Sequence, residues 1–284
     1  MTTKKFLLTL VGSLLMFNVH AQGPKLIVRG DDMGFSHSAN LAILDSYTNG
    51  IMTTVEVMPV TPWFPEVVKM CNDNPSLDVG IHLALTSEWS NLKWRPLTAA
   101  ESISDENGYF YPMIWSNDNF GKGQSLKENE WKLKHIEKEL RAQIELSVKN
   151  IPHISHVSAH MGFSGMDPKV GELVTKLAEE YKLNIQPSNY GVQRANYAGP
   201  KRTELEKYRS FIKMLKNLKP GEVYLFVDHP AYNVPEMEAV HHIGYEDVAQ
   251  DRHGVTKLWK NKNVKVEIEK LGIELINYKD LLKL

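Results

Sequence analysis

The chain has 284 residues, of which 42% are hydrophobic and 24% are charged, with a formal net charge of −1. This composition is typical of a globular protein with one large domain or two small ones. The near-neutral charge argues against nucleic acid or an anionic membrane as the main partner, because both attract a basic surface. Cys71 is the only cysteine, which excludes an internal disulfide bond and a cysteine-based zinc site.

The first 21 residues have the pattern of a secretory signal peptide. Lys4 and Lys5 precede an apolar run at 6–17, and "VHA" at 19–21 places small residues at positions −3 and −1 of a cleavage site. The sequence therefore predicts cleavage after Ala21 and an exported protein, periplasmic or secreted. The apolar run is too short to span a bilayer comfortably, and no later segment approaches the length required, so no membrane span is expected.

Residues 22–284 are predicted to form a single domain in which strands alternate with helices. Helical patterns lie at 38–49 and 168–182, and a third at 126–149 follows a capping-box sequence, "SLKE". This alternation predicts an α/β fold, namely a distorted or incomplete (β/α) barrel of about seven parallel strands, with a doubly wound sheet as the alternative. The predicted strands are 25–29, 52–58, 78–84, 153–159, 184–187, 222–227 and 272–277.

The connection at 86–125 is unusually long and rich in aromatic residues. Long ordered loops are usually functional, and the aromatic content argues against disorder. Two interpretations have equal weight: the rings stack on the faces of sugars, or they form a local core that holds the loop. Trp89 is the candidate from this loop for contacting substrate or supporting the site. The aromatic residues are Trp89, Trp94, Tyr109, Tyr111, Trp115 and Phe120.

Acidic and histidine residues lie at the ends of four predicted strands. Asp31 and Asp32 end the first strand in "RGDDMGF", His82 lies in the third, and His160 and His229 follow the fourth and sixth. In α/β folds, reactive groups collect at the carboxyl ends of strands, so these side chains are expected on one rim. Adjacent carboxylates repel, which favours a cation between them or a proton on one, although Asp and Gly are also ordinary turn residues.

One Asp and two His are a workable set of ligands for a divalent metal. If Asp32, His82 and His160 bind the ion, Asp31 can act as general base on water whose pKa the metal lowers from about 15.7 to roughly 7. Zinc is the first choice because of the two imidazoles, but magnesium or another divalent ion is also compatible with this set. Gly34 lets the chain turn away from the site.

Five segments resemble the YdjC/ChbG carbohydrate deacetylases: "RGDDMGFSHSANLAILDSYTNGIMTTVEVMP", "NPSLDVGIHLALTSEW", "ISHVSAHMGF", "VDHPAY" and "LGIELINYKDL". The resemblance covers nearly all of the mature chain. It implies a distorted (β/α) barrel and metal-dependent removal of acetyl groups from N-acetylated amino sugars, with chitin-type oligosaccharides as familiar substrates. It also implies that Asp31 is the base, that Asp32, His82 and His160 are metal ligands, and that His229 is the catalytic acid.

The chain departs from the family pattern near the fourth strand. Ser158 stands where an Asp is usual, and Gly162 stands where a further His is usual. Both changes spare the three metal ligands and concern the surroundings of the site and the sugar pocket. His156 shares a strand face with Ser158 and is expected to support the site or to pack rather than to bind the metal. Arg252 is a candidate for contacting a substrate hydroxyl, although a surface position is expected.

His229 is expected to protonate the leaving amine. Asp228 lies beside it, but adjacent strand residues point to opposite faces, so Asp228 is not expected to orient the ring. The expected partner is an N-acetylated sugar or oligosaccharide, and a homodimer is left open. The alternatives are a carbohydrate O-acetyl esterase or a sugar isomerase on a related barrel, and a glycan-binding protein that keeps the metal without turnover.

Overall fold

The computed structural model describes residues 23–284. Within this range the strands form one parallel sheet in the order β4-β3-β2-β1-β6-β5, and β7 pairs with the first residues of β1. The strands are β1 (Lys25–Met33), β2 (Thr54–Val57), β3 (Asp78–Leu83), β4 (Ile154–Ala159), β5 (Gln193–Ala195), β6 (Val223–Asp228) and β7 (Glu274–Leu275).

Helices connect successive strands, and this confirms the predicted α/β fold with seven parallel strands. In the described range, hydrogen-bonded pairing ends at β4 on one side and β5 on the other, so the barrel is incomplete. The helices are α1 (His37–Thr48), α2 (Phe64–Asp73), α3 (Leu133–Asn150), α4 (Pro168–Glu180), α5 (Glu204–Asn217), α6 (Pro235–Glu238), α7 (Val248–Trp259) and α8 (Lys262–Lys270).

The strand predicted at 184–187 is wrong. Asn184 makes a single antiparallel bridge with His156, and the fifth strand is β5, which pairs with β6. Pro187 begins a 3-10 turn at this point. Proline has no N–H to donate to a ladder, so the segment "NIQP" cannot continue as a strand.

The start predicted for the third helix is also wrong. Residues Leu126–Glu128 form a single 3-10 turn, and α3 begins at Leu133. Ser125 Oγ donates to the Glu128 carboxylate at 2.7 Å instead of capping a backbone N–H, so the apparent capping box is a side-chain contact. By contrast, Asp167 does cap α4, because its side chain accepts from the N–H of Lys169.

The two faces of the sheet differ in polarity. Val28 and Phe226 pack on one face, where Trp259 of α7 belongs to the same apolar cluster. Ile27 and Leu225, their neighbours along β1 and β6, belong to a smaller cluster on the other face. We call the face that carries the smaller cluster the inner face. Side chains alternate along a strand, so the polar residues at alternate positions with Ile27, and their register partners on β2, β3 and β4, point to this face. These residues are Arg29, Asp31, Glu56, His82, His156 and Ser158.

The predicted signal peptide, residues 1–21, lies outside the described residues. No helix in the range 23–284 is long and apolar enough to cross a membrane. Cys71 is buried in α2, where burial raises the pKa of its thiol to about 12. It therefore packs as a small apolar side chain, as the sequence predicts.

Candidate active site

A break in β1 brings the two adjacent carboxylates to the same side. The pairing of β1 with β2 shifts between Gly30 and Met33, and Asp32 has a φ of +67°. A non-glycine residue in this left-handed region costs on the order of 1–3 kcal/mol, a cost typical of functional sites. In a regular strand the two side chains would point apart. Here Asp31 Oδ2 and Asp32 Oδ1 lie 3.7 and 3.6 Å from His82 Nε2.

The ends of β1, β3 and β4 contribute one ligand each to a possible metal site. Ligand atoms of Asp32, His82 and His160 all lie within 4.8 Å of one another, and all three residues are buried. His160 Nδ1 is 3.3 Å from Asp32 Oδ1. This oxygen has no hydrogen-bond partner in the described part of the chain. An unpaired buried carboxylate oxygen is costly, so the donor set and its geometry fit a divalent cation.

Each histidine turns its other ring nitrogen towards a protein oxygen. His82 Nδ1 is 2.7 Å from Ser158 Oγ, and His160 Nε2 is 3.2 Å from Glu88 Oε2. Partners of this kind orient metal-binding histidines. From the sequence, Ser158 is a departure from the family pattern and a candidate for supporting the site or contacting substrate, and the structure shows its contact with His82. Glu88 was missed, since its one signal was a carboxylate directly before the first tryptophan of the long loop.

The charges of the site differ between the ligands. Burial lowers the pKa of His82 to about 3 and keeps its ring neutral, the form that binds a metal. Burial also disfavours the charged form of His160, but Glu88 and Asp32 outweigh it and raise the pKa to about 10. The pKa of Asp32 lies well below its usual range, because His229, His160 and Arg252 together outweigh burial. Asp32 therefore remains ionised.

Asp31 is held by a cation on its own strand. Arg29 Nη2 donates to Asp31 Oδ2 at 2.9 Å, and Arg29 Nε lies 2.8 Å from the other carboxylate oxygen. Arg29 is itself fixed by the hydroxyl of Tyr278, 2.9 Å from Nη1. One hydrogen bond and one close ionic contact from the same guanidinium group together restrict the orientation of the carboxylate. Asp31 is buried and faces His82 from this fixed position.

His229 is more exposed than Asp31 and the three candidate metal ligands, with 37% of its side chain accessible. Its Nε2 lies 3.7 Å from Asp32 Oδ2. A cavity of about 740 Å³, lined in part by Arg252 and Tyr245, opens beside it. Burial lowers the pKa of His229, but Asp32 and Asp228 raise it above its ordinary value. A protonated ring that faces an open cavity can donate a proton to a molecule bound there.

The prediction that Asp228 does not face the His229 ring is wrong. Asp228 Oδ1 accepts from the backbone N–H of His229 at 2.9 Å and lies 3.7 Å from Nδ1 of the ring. The strand β6 ends at Asp228, so side-chain alternation does not extend to the next residue. Tyr197 donates its hydroxyl hydrogen to Asp228 Oδ2 at 2.7 Å and holds the carboxylate there.

The surface position expected for Arg252 is also wrong. The residue is 4% exposed, and its Nη2 donates to Asp32 Oδ2 at 3.0 Å. Its guanidinium group lies over the rings of Phe35 and Trp89, 4.8 and 5.1 Å from their centroids. Arg252 therefore supports a metal-ligand candidate from the inward face of α7.

Much of the aromatic connection is a local core. Trp89 and Trp94 are 2% and 3% exposed, and Phe110 is fully buried. Trp89 stacks on Phe35 with ring centroids 6.1 Å apart, so Trp89 contacts the site from within the protein and cannot stack on a substrate. Trp115, by contrast, is 41% exposed.

His156 lies in a buried cluster below the triad. Its Nε2 is 2.7 Å from Glu56 Oε1, and its ring stacks on Tyr278 at 3.6 Å. It packs in this cluster, one of the two roles that the sequence predicts for it. Glu56 was missed, although a single acid in the buried run "MTTVEVM" was a signal that it has a polar partner.

Comparisons with known proteins converge on one group. The sequence profile of the YdjC-like protein family matches residues 25–269. A carbohydrate deacetylase of Geobacillus stearothermophilus is 29% identical over 278 residues, spanning 91% of this chain and 98% of that protein. A carbohydrate deacetylase of Enterococcus faecalis is 25% identical over 276 residues, spanning 90% and 98%.

One solved structure shows the same fold. It is the crystal structure of a proposed cellobiose-phosphate cleavage protein from Enterococcus faecalis V583, with a TM-score of 0.71 and 23% identity. The match spans 92% of this chain and 99% of that one, so the two folds correspond along almost their whole length.

Proposed function

The chain belongs to the YdjC-like protein family, and we propose that it is an exported, metal-dependent hydrolase that removes acetyl groups from N-acetylated amino sugars or oligosaccharides. The observation that carries the proposal is the convergence of Asp32, His82 and His160 with Asp31 beside them. Two relatives that match this chain over almost their entire lengths are carbohydrate deacetylases, and this supports the proposed reaction and substrate class.

Asp32, His82 and His160 would hold the ion, and zinc is the proposed metal because two of the three ligands are imidazoles. A divalent ion supplies Lewis acidity at this position, which acidifies water and stabilises negative charge on the acyl oxygen. The neutral ring of His82 and the ionised carboxylate of Asp32 are the protonation states that such an ion requires.

Asp31 is the proposed general base. Its carboxylate is fixed by Arg29 and faces the same centre as the ligands, so it is placed to take a proton from the attacking water. The water oxygen then bonds to the acetyl carbon, and the carbon–nitrogen bond breaks.

His229 is the proposed general acid, which donates a proton to the departing amine. The raised pKa of this histidine favours the protonated ring, and Asp228 lies beside Nδ1 where it stabilises the positive charge. Its partial exposure beside the cavity suits contact with a leaving group.

Export is proposed from the sequence of residues 1–21. The chain expressed in a bacterial host with its leader should appear outside the cytoplasm and begin at Gln22. N-terminal sequencing of the purified product checks this, and an intact Met1 on the exported chain would contradict the cleavage site.

Acetate release tests the reaction. The chain is stripped with a chelator, reloaded separately with zinc, magnesium or cobalt, and incubated with a series of N-acetylated mono- and oligosaccharides. We expect acetate in the reloaded samples and none in the stripped sample. Failure to release acetate from every N-acetylated sugar, with the metal bound, would contradict the proposal.

The acetate assay and a calorimetric titration with sugar separate two of the alternatives. An O-acetyl esterase would release acetate from O-acetylated sugars and leave N-acetyl groups intact. A glycan-binding protein would give heat on titration with a sugar but no product after long incubation. The position of Asp31 beside His82 and of His229 beside Asp32 favours a hydrolase over a binding protein, because sugar binding alone requires neither a base nor an acid.

A further inference from the structure

A carboxylate from β2 lies beneath the triad and is connected to it by one hydroxyl group. Glu56 is fully buried, and its Oε2 accepts from Ser158 Oγ at 2.7 Å. The same Ser158 Oγ is 2.7 Å from His82 Nδ1. Glu56, Ser158 and His82 thus form a continuous hydrogen-bonded chain from β2 through β4 to β3.

The direction of each bond in this chain follows from counting hydrogens. An ionised carboxylate only accepts, and a serine hydroxyl has a single hydrogen to donate. Because Ser158 donates that hydrogen to Glu56, its oxygen must accept from His82, which places the ring hydrogen on Nδ1. The lone pair of the neutral ring is then on Nε2, the atom 3.6 Å from Asp32 Oδ1.

Glu56 is surrounded by groups that keep it ionised. His156 Nε2 lies 2.7 Å from one carboxylate oxygen, and Arg29 Nη1 lies 3.5 Å from the same oxygen. Burial raises the pKa of Glu56, but His156 and Arg29 outweigh it and lower the pKa below its ordinary value. The carboxylate is therefore an acceptor in this chain.

The carboxylate packs closely against the backbone of β3. A Cβ at Gly80 of β3 would lie 2.6 Å from Glu56 Oε2 and 2.4 Å from His156 Nε2, so this position requires glycine. His156 is held on its other side by the ring of Tyr278, which is tilted by only 6°. A rigid acceptor sets the orientation of its partner more closely than a mobile one.

We propose that Glu56 and Ser158 are positioning residues that fix the tautomer and the orientation of His82 for metal binding. This inference rests on the metal site proposed above. Ser158 acts as a relay between the two. Its hydroxyl hydrogen is bound by the Glu56 carboxylate of β2, and its oxygen is therefore left to accept the Nδ1 hydrogen of His82. Neither residue is one of the three candidate ligands.

The tautomer is tested on the metal-free mature chain labelled with ¹⁵N-histidine. His82 should show a protonated Nδ1 and an unprotonated Nε2, and its signal is assigned with the variant His82→Gln. In Ser158→Ala, Nδ1 loses its partner and the preference for this tautomer should weaken. A wild-type His82 with its hydrogen on Nε2 would overturn the proposal, whichever variants fold.

Zinc affinity gives a second readout, measured by competition with a chromophoric chelator. Ser158→Ala should bind zinc roughly 10- to 100-fold more weakly, the range seen when an outer partner of a metal-binding histidine is lost. Ser158→Thr is the matched control, because it keeps a hydroxyl and should remain within about threefold of wild type. Thermal unfolding confirms that both variants are folded.

The outcomes separate this inference from the proposed function. Equal zinc affinity of Ser158→Ala and wild type would contradict the relay while leaving the metal site intact. A wild-type chain that binds no zinc or other divalent ion would contradict the proposed metal site. The ¹⁵N result on the metal-free chain would still report whether the relay exists.

Discussion

The strand-end site and the aromatic connection at 86–125 had different outcomes, although the sequence singled out both. At the strand ends, Asp32, His82 and His160 converge on one centre. In the connection, Trp89 and Trp94 are buried rather than presented to a ligand. Residue type alone suggested function in both regions, but only the first region had a backbone geometry that determined where its side chains lie.

The difference follows from secondary structure. Parallel strands in one sheet end at the same edge, so residues at their carboxyl ends are brought together whatever the intervening loops do. A long irregular loop has no such rule, and an aromatic ring in it gains free energy equally by contacting a ligand or by packing on its neighbours. Five substitutions test this contrast.

The largest effect is expected from His160→Ala and His82→Ala. Removing one of three ligands should reduce the metal content from about one ion per chain to near zero and abolish acetate release. Elemental analysis after purification measures the metal. His153→Ala is the matched control. His153 directly precedes β4, whereas His160 directly follows it, so the two histidines lie at opposite ends of one strand. A metal content equal to wild type in either variant would break the convergence argument.

Asp31→Asn should lower kcat by about 10²- to 10⁴-fold, the contribution typical of a general base. The amide has nearly the shape of the carboxylate but cannot take the proton. The metal content should stay at the wild-type value, because Asp31 is not one of the three ligands. Steady-state kinetics and elemental analysis on the same sample check both statements, and full activity would end the assignment of Asp31 as base.

Trp94→Ala should destabilise the protein by about 3–5 kcal/mol, because it leaves a large cavity in the core. It also removes the hydrogen bond from Nε1 to the carbonyl oxygen of Thr86, 2.7 Å away. Chemical denaturation measures the free energy of unfolding. The KM of the folded fraction should change little. A raised KM at unchanged stability would instead favour the sugar-stacking interpretation for this residue.

Trp115→Ala should have the smallest effect, and it sharpens the comparison within the loop. The ring is 41% exposed and lies near Gly162, 3.9 Å from the position of a Cβ there. Stability should change by no more than about 0.5 kcal/mol. If a sugar covers about 40 Å² of this ring, KM should rise about fivefold, equal to about 1 kcal/mol. An unchanged KM for all active oligosaccharides would exclude Trp115 from the sugar site.

The errors in the fold came from signals that local sequence does not resolve. "NIQP" at 184–187 has a strand-like composition, but Pro187 ends it before any ladder forms. Ser125 and Glu128 have capping-box spacing, yet their side chains bond to each other. In both cases the residue types suit the predicted element, but the expected hydrogen-bond partners are not those in the structure. Such partners depend on the path of the backbone beyond the segment itself.

The sequence by itself determined the α/β architecture and the strand ends from which the candidate ligands project, because hydrophobic periodicity and the order of elements are local properties of the chain. Only the tertiary structure decided how these side chains are aimed. The break in β1 turns Asp31 and Asp32 to one side, and Arg252 reaches Asp32 across 220 positions of sequence. Such contacts depend on packing between distant segments, and no pattern along the chain encodes them directly.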